Sequence, residues 1–145
     1  MYKHILLAYN GSEAGQKALL GCCDIAQWSH SALSLVAVMP NSYGVIGVDS
    51  GVYSGDLIEN EKKRYQSVLD EGIRRLADMG YQAGGEVLMG ETVDEIVRYA
   101  RKIGSDLIVV GHRHLDSWAA RWWRGSVSSS LIEHSPCSVL VVIMS

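Results

Sequence analysis

The run Asp106-Leu107-Ile108-Val109-Val110-Gly111 places four aliphatic residues in succession between an acid and a glycine. A strand with this composition has no polar face, so it needs cover on both sides, the situation of a parallel sheet held between helices. The run therefore belongs in the middle of a sheet. His4-Ile5-Leu6-Leu7-Ala8-Tyr9 and Leu33-Ser34-Leu35-Val36-Ala37-Val38-Met39 read in the same way, and Pro40 stops the second because it lacks the amide proton a ladder requires. Glu86-Val87-Leu88-Met89 is a weaker strand, and Ser138-Val139-Leu140-Val141-Val142-Ile143 is a fifth.

The intervening stretches have the period of helices. After the turn Asn10-Gly11-Ser12, Ser12 is placed to cap a helix whose buried stripe is Ala14, Ala18, Cys22 and Ile25 and which ends near Trp28 to His30. Ile58, Tyr65, Leu69, Ile73 and Leu76 mark one face of a long second helix that stops at Gly80. Its wet side carries the i,i+4 pairs Asp70/Arg74 and Glu71/Arg75. Thr92-Val93-Asp94-Glu95 has the form of a capping box, which puts a helix start at Thr92, with Val93, Ile96, Val97, Ala100 and Ile103 as its apolar stripe. A short helix from Ser126 to His134 is ended by Pro136. The connection Asn41 to Asp56, rich in Gly and Ser, is long for a compact domain.

Strands separated by helices pair in parallel through right-handed crossovers. The expected fold is thus α/β, a three-layer α/β/α sandwich around an open five-stranded parallel sheet, in one domain spanning residues 1–145. With 48% hydrophobic and 20% charged residues, and no apolar run long enough to span a bilayer, the composition is that of a soluble globular protein. A net charge of -3 gives no global attraction to nucleic acid or to anionic membranes. The apolar start is too short for a secretory signal, which points to the cytoplasm, and the odd set Cys22, Cys23 and Cys137 reads as small core hydrophobes.

In such a sheet, ligands bind beyond the carboxyl ends of the strands where the strand order reverses. The positions available are Asn10-Gly11-Ser12, Val38-Met39-Pro40 and the segment from Gly111 to Ser128. That last segment contains Arg113, Arg121, Arg124, His112 and His114, making it the most basic part of an acidic chain. It ends in Gly125-Ser126-Val127-Ser128, a helix start whose amides and hydroxyls suit phosphate oxygens. Trp118, Trp122 and Trp123 in the same loop read as packing residues. His112 and His114 lack the partners of a metal site, and Gly11 to Lys17 has the wrong spacing for a P-loop.

These marks, with His134-Ser135-Pro136-Cys137-Ser138-Val139-Leu140-Val141-Val142, resemble the universal stress protein family along essentially the whole chain. The resemblance implies a Rossmann-like fold of the adenine-nucleotide alpha-hydrolase type, usually dimeric, with members that bind ATP and members that do not. The ATP-binding members carry Gly-x2-Gly-x9-Gly-Ser/Thr. Here Gly111 fits the first glycine, His114 stands at the second, the spacer to Gly125 is ten residues, and Gly125, Ser126 and Ser128 fit the phosphate-contacting end. Val38 matches the position whose backbone faces adenine, and Asn10 replaces the aspartate beside the ribose. If the second glycine must be left-handed, His114 costs roughly 1–2 kcal/mol there.

The expectation is therefore a stress-response protein that holds ATP or AMP as ligand or signal. Asn10, Val38, Gly111, Arg113, His114, Arg124, Gly125, Ser126, Val127 and Ser128 form the site, and Mg2+ enters only with a triphosphate. No residue is placed as a catalytic base, so hydrolysis would at most be slow. The rival expectation is a dimeric protein-interaction module, bound to an unknown protein partner, that has lost the nucleotide. In either case the apolar strand Ser138 to Ile143 at a sheet edge points to a homodimer.

Overall fold

A computed structural model describes residues 2–40, 54–113 and 127–144. Its elements in chain order are β1 (His4–Ala8), α1 (Glu13–Ser29), β2 (Ala32–Met39), α2 (Ser54–Asp78), β3 (Ala83–Met89), α3 (Thr92–Ile103), β4 (Leu107–Arg113), α4 (Val127–His134) and β5 (Ser138–Met144). The strands form one sheet in the order β3-β2-β1-β4-β5. Every neighbouring pair is parallel.

The apolar runs are buried on both faces because their residues divide between two cores. Ile5, Leu7, Leu35, Leu107 and Val109 pack against Ala18, Leu19 and Cys22 of α1 and Leu69 and Leu76 of α2. Leu6, Val36, Ile108 and Val110 face the other way, onto Val93, Ile96, Val97 and Ala100 of α3 and Leu131 of α4. Burying each large aliphatic side chain stabilises by about 1.5–3 kcal/mol. Both layers of helices are needed to collect that from a strand such as β1, whose Ile5, Leu6 and Leu7 are all within 1% of full burial.

The helix ends follow local chemistry. The Ser12 hydroxyl accepts from the Gly15 amide at 3.0 Å, as the cap reading requires. At the C-terminal end of α2, Tyr81 N–H donates to the Leu76 carbonyl and Gly80 N–H to that of Ala77, which closes the last turn.

Several expectations need correction. Helix α3 is capped by Glu91, whose carboxylate accepts from the Asp94 amide at 2.8 Å, so Thr92 is already helical. Glu71 pairs with Arg75 at 2.9 Å, but Arg74 turns to Asp78 at 3.0 Å and Asp70 accepts from Gln66. Strand β3 starts at Ala83, before the expected Glu86, since Gly84 and Gly85 pair with Ser34 and Leu35. A Cβ on Gly85 would lie 2.4 Å from the Leu35 carbonyl oxygen, so a glycine that reads as a strand breaker is what this pairing needs. Residues 54–56, expected in the connection, belong to α2, while 41–53 lie outside the described residues. Cys22 and Cys23 are buried, but Cys137 is partly exposed.

Asp106, the acid that opens the deciding run, ties the base of the sheet together. Its carboxylate accepts from the Lys3 amide at 2.8 Å and from the His4 amide at 3.0 Å. Desolvation raises its pKa, but these amides, its own amide and the chain's amino terminus outweigh that and hold it below the ordinary 3.8. A group ionised more readily when folded stabilises fully above its unfolded pKa and loses that contribution as pH falls through the folded one. Asp106→Asn is therefore expected to cost about 1 kcal/mol at neutral pH, the charge-assisted bonds being discounted for their exposure. Urea unfolding at pH 7 and near pH 3 should show the difference between the two proteins shrinking in acid.

Candidate functional site

The chain leaves β1 toward β2 on one side, while β4 and β5 extend the sheet on the other, so the order reverses between β1 and β4. Neighbouring crossovers diverge at such a point and leave a crevice above the strand ends. A cavity of about 120 Å3 lies there, lined by Asn10, Val38, Gly111, Val127 and Ser128 among others. Five of the residues expected in the site are thus brought together. Arg113 is the last residue of β4, opposite Met144 of β5. His114, Arg124, Gly125 and Ser126 lie outside the described residues, as do Arg121 and Trp118, Trp122 and Trp123.

Several lining residues were not foreseen. Thr92 and Ile96, one turn apart on α3, form a wall, and Val36 and Val110 form part of the floor. Their spacing had marked Ile96 only as core, because a periodic stripe does not show where the core opens. Tyr9, 3% exposed, lies beyond the end of β1 and donates its amide to the Val36 carbonyl at 2.9 Å. Burial raises its hydroxyl pKa, Arg75 opposes this and Glu71 adds to it, so the phenol stays neutral.

Gly111 has a role the sequence reading did not give it. Strand β4 does not end there but runs two residues further, since Gly111, His112 and Arg113 continue to pair with β5. A Cβ on Gly111 would sit 2.2 Å from the Ala14 carbonyl oxygen and 2.8 Å from the Gly15 amide nitrogen. The first turn of α1 thus rests directly on the β4 backbone, and this contact requires glycine whatever the cavity holds.

Asn10 is organised by the adjoining cap. Its Oδ1 accepts from the Ser12 amide at 3.0 Å and from the Ser12 hydroxyl at 2.6 Å, while that hydroxyl accepts from Gly15. None of the described residues lining the cavity is charged at neutral pH. Among the described residues the lining combines neutral donors with an apolar floor, the composition of a small-molecule pocket. Among the described residues no three His, Cys, Asp or Glu side chains gather as a metal set. A larger groove of about 610 Å3 runs along α1 beside Lys17, Leu20 and Met79 and reaches Met144 at the end of β5.

The fold and crevice define a doubly wound α/β protein with an open cavity at its switch point. The universal stress protein family model matches residues 1–142, and the chain belongs to that family. Universal stress protein YxiE of Bacillus subtilis is 31% identical over 98% of this chain and 99% of its own. The solved structure of hypothetical protein MJ0577 superimposes with a TM-score of 0.81 at 24% identity, covering 100% of this chain and 98% of that one. The same fold occurs in a universal stress protein from Arabidopsis thaliana with AMP bound, at TM-score 0.69 and 17% identity over 99% of this chain and 92% of that one. It also occurs in one in complex with cAMP, at 0.70 and 22% over 97% and 96%, and in one from Archaeoglobus fulgidus in complex with dAMP, at 0.67 and 19% over 97% and 98%.

Proposed function

We propose that this universal stress protein binds an adenine nucleotide, AMP or ATP, in the crevice between β1 and β4. The observation that carries the reading is the cavity itself, apolar at Val36, Val38 and Ile96 and polar at Asn10, Thr92 and Ser128. Its volume of about 120 Å3 is below the roughly 300 Å3 of a site for a whole drug-sized ligand. It suits one flat ring, with sugar and phosphates reaching outward. On this reading Val38 meets the base, Asn10 and Gly111 flank the ribose, and phosphate lies toward Val127 and Ser128 at the start of α4, where helix amides and dipole favour anions. His114, Gly125 and Ser126 would complete that end, with Arg113 and Arg124 as counter-charges. The nucleotides in the AMP, cAMP and dAMP complexes of similar fold support the ligand class. Mg2+ would enter only with a triphosphate, and hydrolysis would at most be slow.

Denaturing the purified protein and identifying the released small molecules by mass spectrometry tests this reading, together with melting in added AMP or ATP. A ligand of micromolar Kd present at 1 mM stabilises by about 4 kcal/mol. Release of an adenine nucleotide or an upward shift of several degrees is expected. Neither occurring would overturn the reading and leave the interaction module.

The same proposal treats residues 1–145 as one domain of a cytoplasmic homodimer joined through β5. Strand β5 lies at a sheet edge, with Val139, Leu140, Val141 and Val142 only half-buried and Ile143 55% exposed. An edge of this kind invites a second strand. The free thiols of Cys22, Cys23 and Cys137 accord with a reducing compartment. Sedimentation at micromolar concentration should give about twice the chain mass of 15.9 kDa, and a monomer alone would refute the dimer.

A further inference from the structure

Asn10 is a polar residue of the cavity whose side-chain hydrogen-bonding capacity is already partly committed. The Ser12 amide can only donate, so the atom facing it is the Asn10 carbonyl oxygen, and the Ser12 hydroxyl donates to the same oxygen. A carbonyl oxygen has two lone pairs, and both are taken. What Asn10 has left for a ligand is its NH2 group, which donates and cannot accept. An aspartate in its place would retain a second, negatively charged oxygen to accept from sugar hydroxyls. The two residue types therefore ask opposite things of the sugar. A carboxylate favours a free diol that donates and repels a neighbouring phosphate, whereas an amide donor favours an acceptor and has no charge with which to repel one.

We propose that Asn10 determines specificity by making the site accept adenine nucleotides whose ribose is itself esterified by phosphate, as in a 3′,5′-cyclic monophosphate, at least as well as those with a free diol. The inference rests on the nucleotide reading and concerns its sugar end. The absence of charged groups among the described lining residues agrees with it, since no described carboxylate in the cavity would oppose a phosphodiester. The Asn10→Asp substitution is suited to the test because a carboxylate oxygen can accept the same two bonds from Ser12 and so preserve the turn and cap.

The experiment measures Kd for 5′-AMP and for 3′,5′-cyclic AMP by titration calorimetry with the wild-type protein and with Asn10→Asp. The wild type is expected to bind the cyclic nucleotide with a Kd no more than about threefold above that for 5′-AMP. Asn10→Asp should raise the ratio of cyclic to 5′-AMP Kd by about tenfold, as a charge of like sign at close range requires. A wild-type preference of about tenfold for 5′-AMP, or an unchanged ratio in the variant, overturns the proposal while leaving nucleotide binding intact. Saturable binding of neither nucleotide refutes both. If Asn10→Asp fails to fold, the wild-type ratio alone decides.

Discussion

Gly111→Ala is expected to lower the melting temperature by about 10 °C, from a stability loss of about 3 kcal/mol at roughly 3 °C per kcal/mol for a chain of this size. The added methyl would sit 2.2 Å from the Ala14 carbonyl oxygen, and the next atoms it meets are also backbone. A long side chain can swing away from such a clash, but the first turn of α1 cannot. That turn is held by Ser12, whose hydroxyl caps it, and by Asn10, which holds Ser12. Helix α1 must therefore lift from β4, loosening the contacts of Ala18 and Leu19 in the core beneath. Thermal unfolding followed by circular dichroism checks this, and a variant melting within 2 °C of the wild type would show that the α1 contact is not tight.

Val38→Phe is expected to weaken AMP binding more than a hundredfold while leaving the protein folded. Val38 is half-buried on β2 and its side chain borders the cavity, so a larger ring there enters space the base would occupy rather than a filled core. Overpacking a dense interior costs about 1–3 kcal/mol, and a site with room beside it falls at the low end of that range. The melting temperature without ligand should change by a few degrees, and the upward shift produced by 1 mM AMP in the wild type should vanish. Loss of the shift without loss of the fold would locate the ligand in this cavity rather than in the larger groove beside α1.

The layers and the five-stranded parallel sheet were legible because the apolar runs carry them. Every expected strand is present, since a run such as Leu107 to Val110 is stable only when buried on both faces. What the pattern hid were places where backbone meets backbone. Gly85 falls before the strand expected from Glu86 and Gly111 closes the run from Leu107, yet each sits inside a strand because its missing Cβ admits a neighbouring main chain. The cap of α3 was misplaced by one residue because Thr92 and Glu91 both offer an oxygen, and the longer Glu91 side chain reaches the Asp94 amide.

In the site, Asn10, Val38 and Gly111 were found because they follow strand ends, and Val127 and Ser128 because they open a helix. Thr92 and Ile96 come from α3, in the same helix layer as α4, and join the site only after folding. The saturation of Asn10 by Ser12 likewise follows from the geometry of the turn, which composition does not express.

Whether the β1–β4 crevice receives an adenine nucleotide is tested most directly by titrating AMP into the wild-type protein and Val38→Phe side by side in a calorimeter. Saturable heat with one nucleotide per chain is expected for the wild type and no saturable heat for the variant. Absence of binding by the wild type, or equal binding by the two proteins, would contradict nucleotide binding in this crevice.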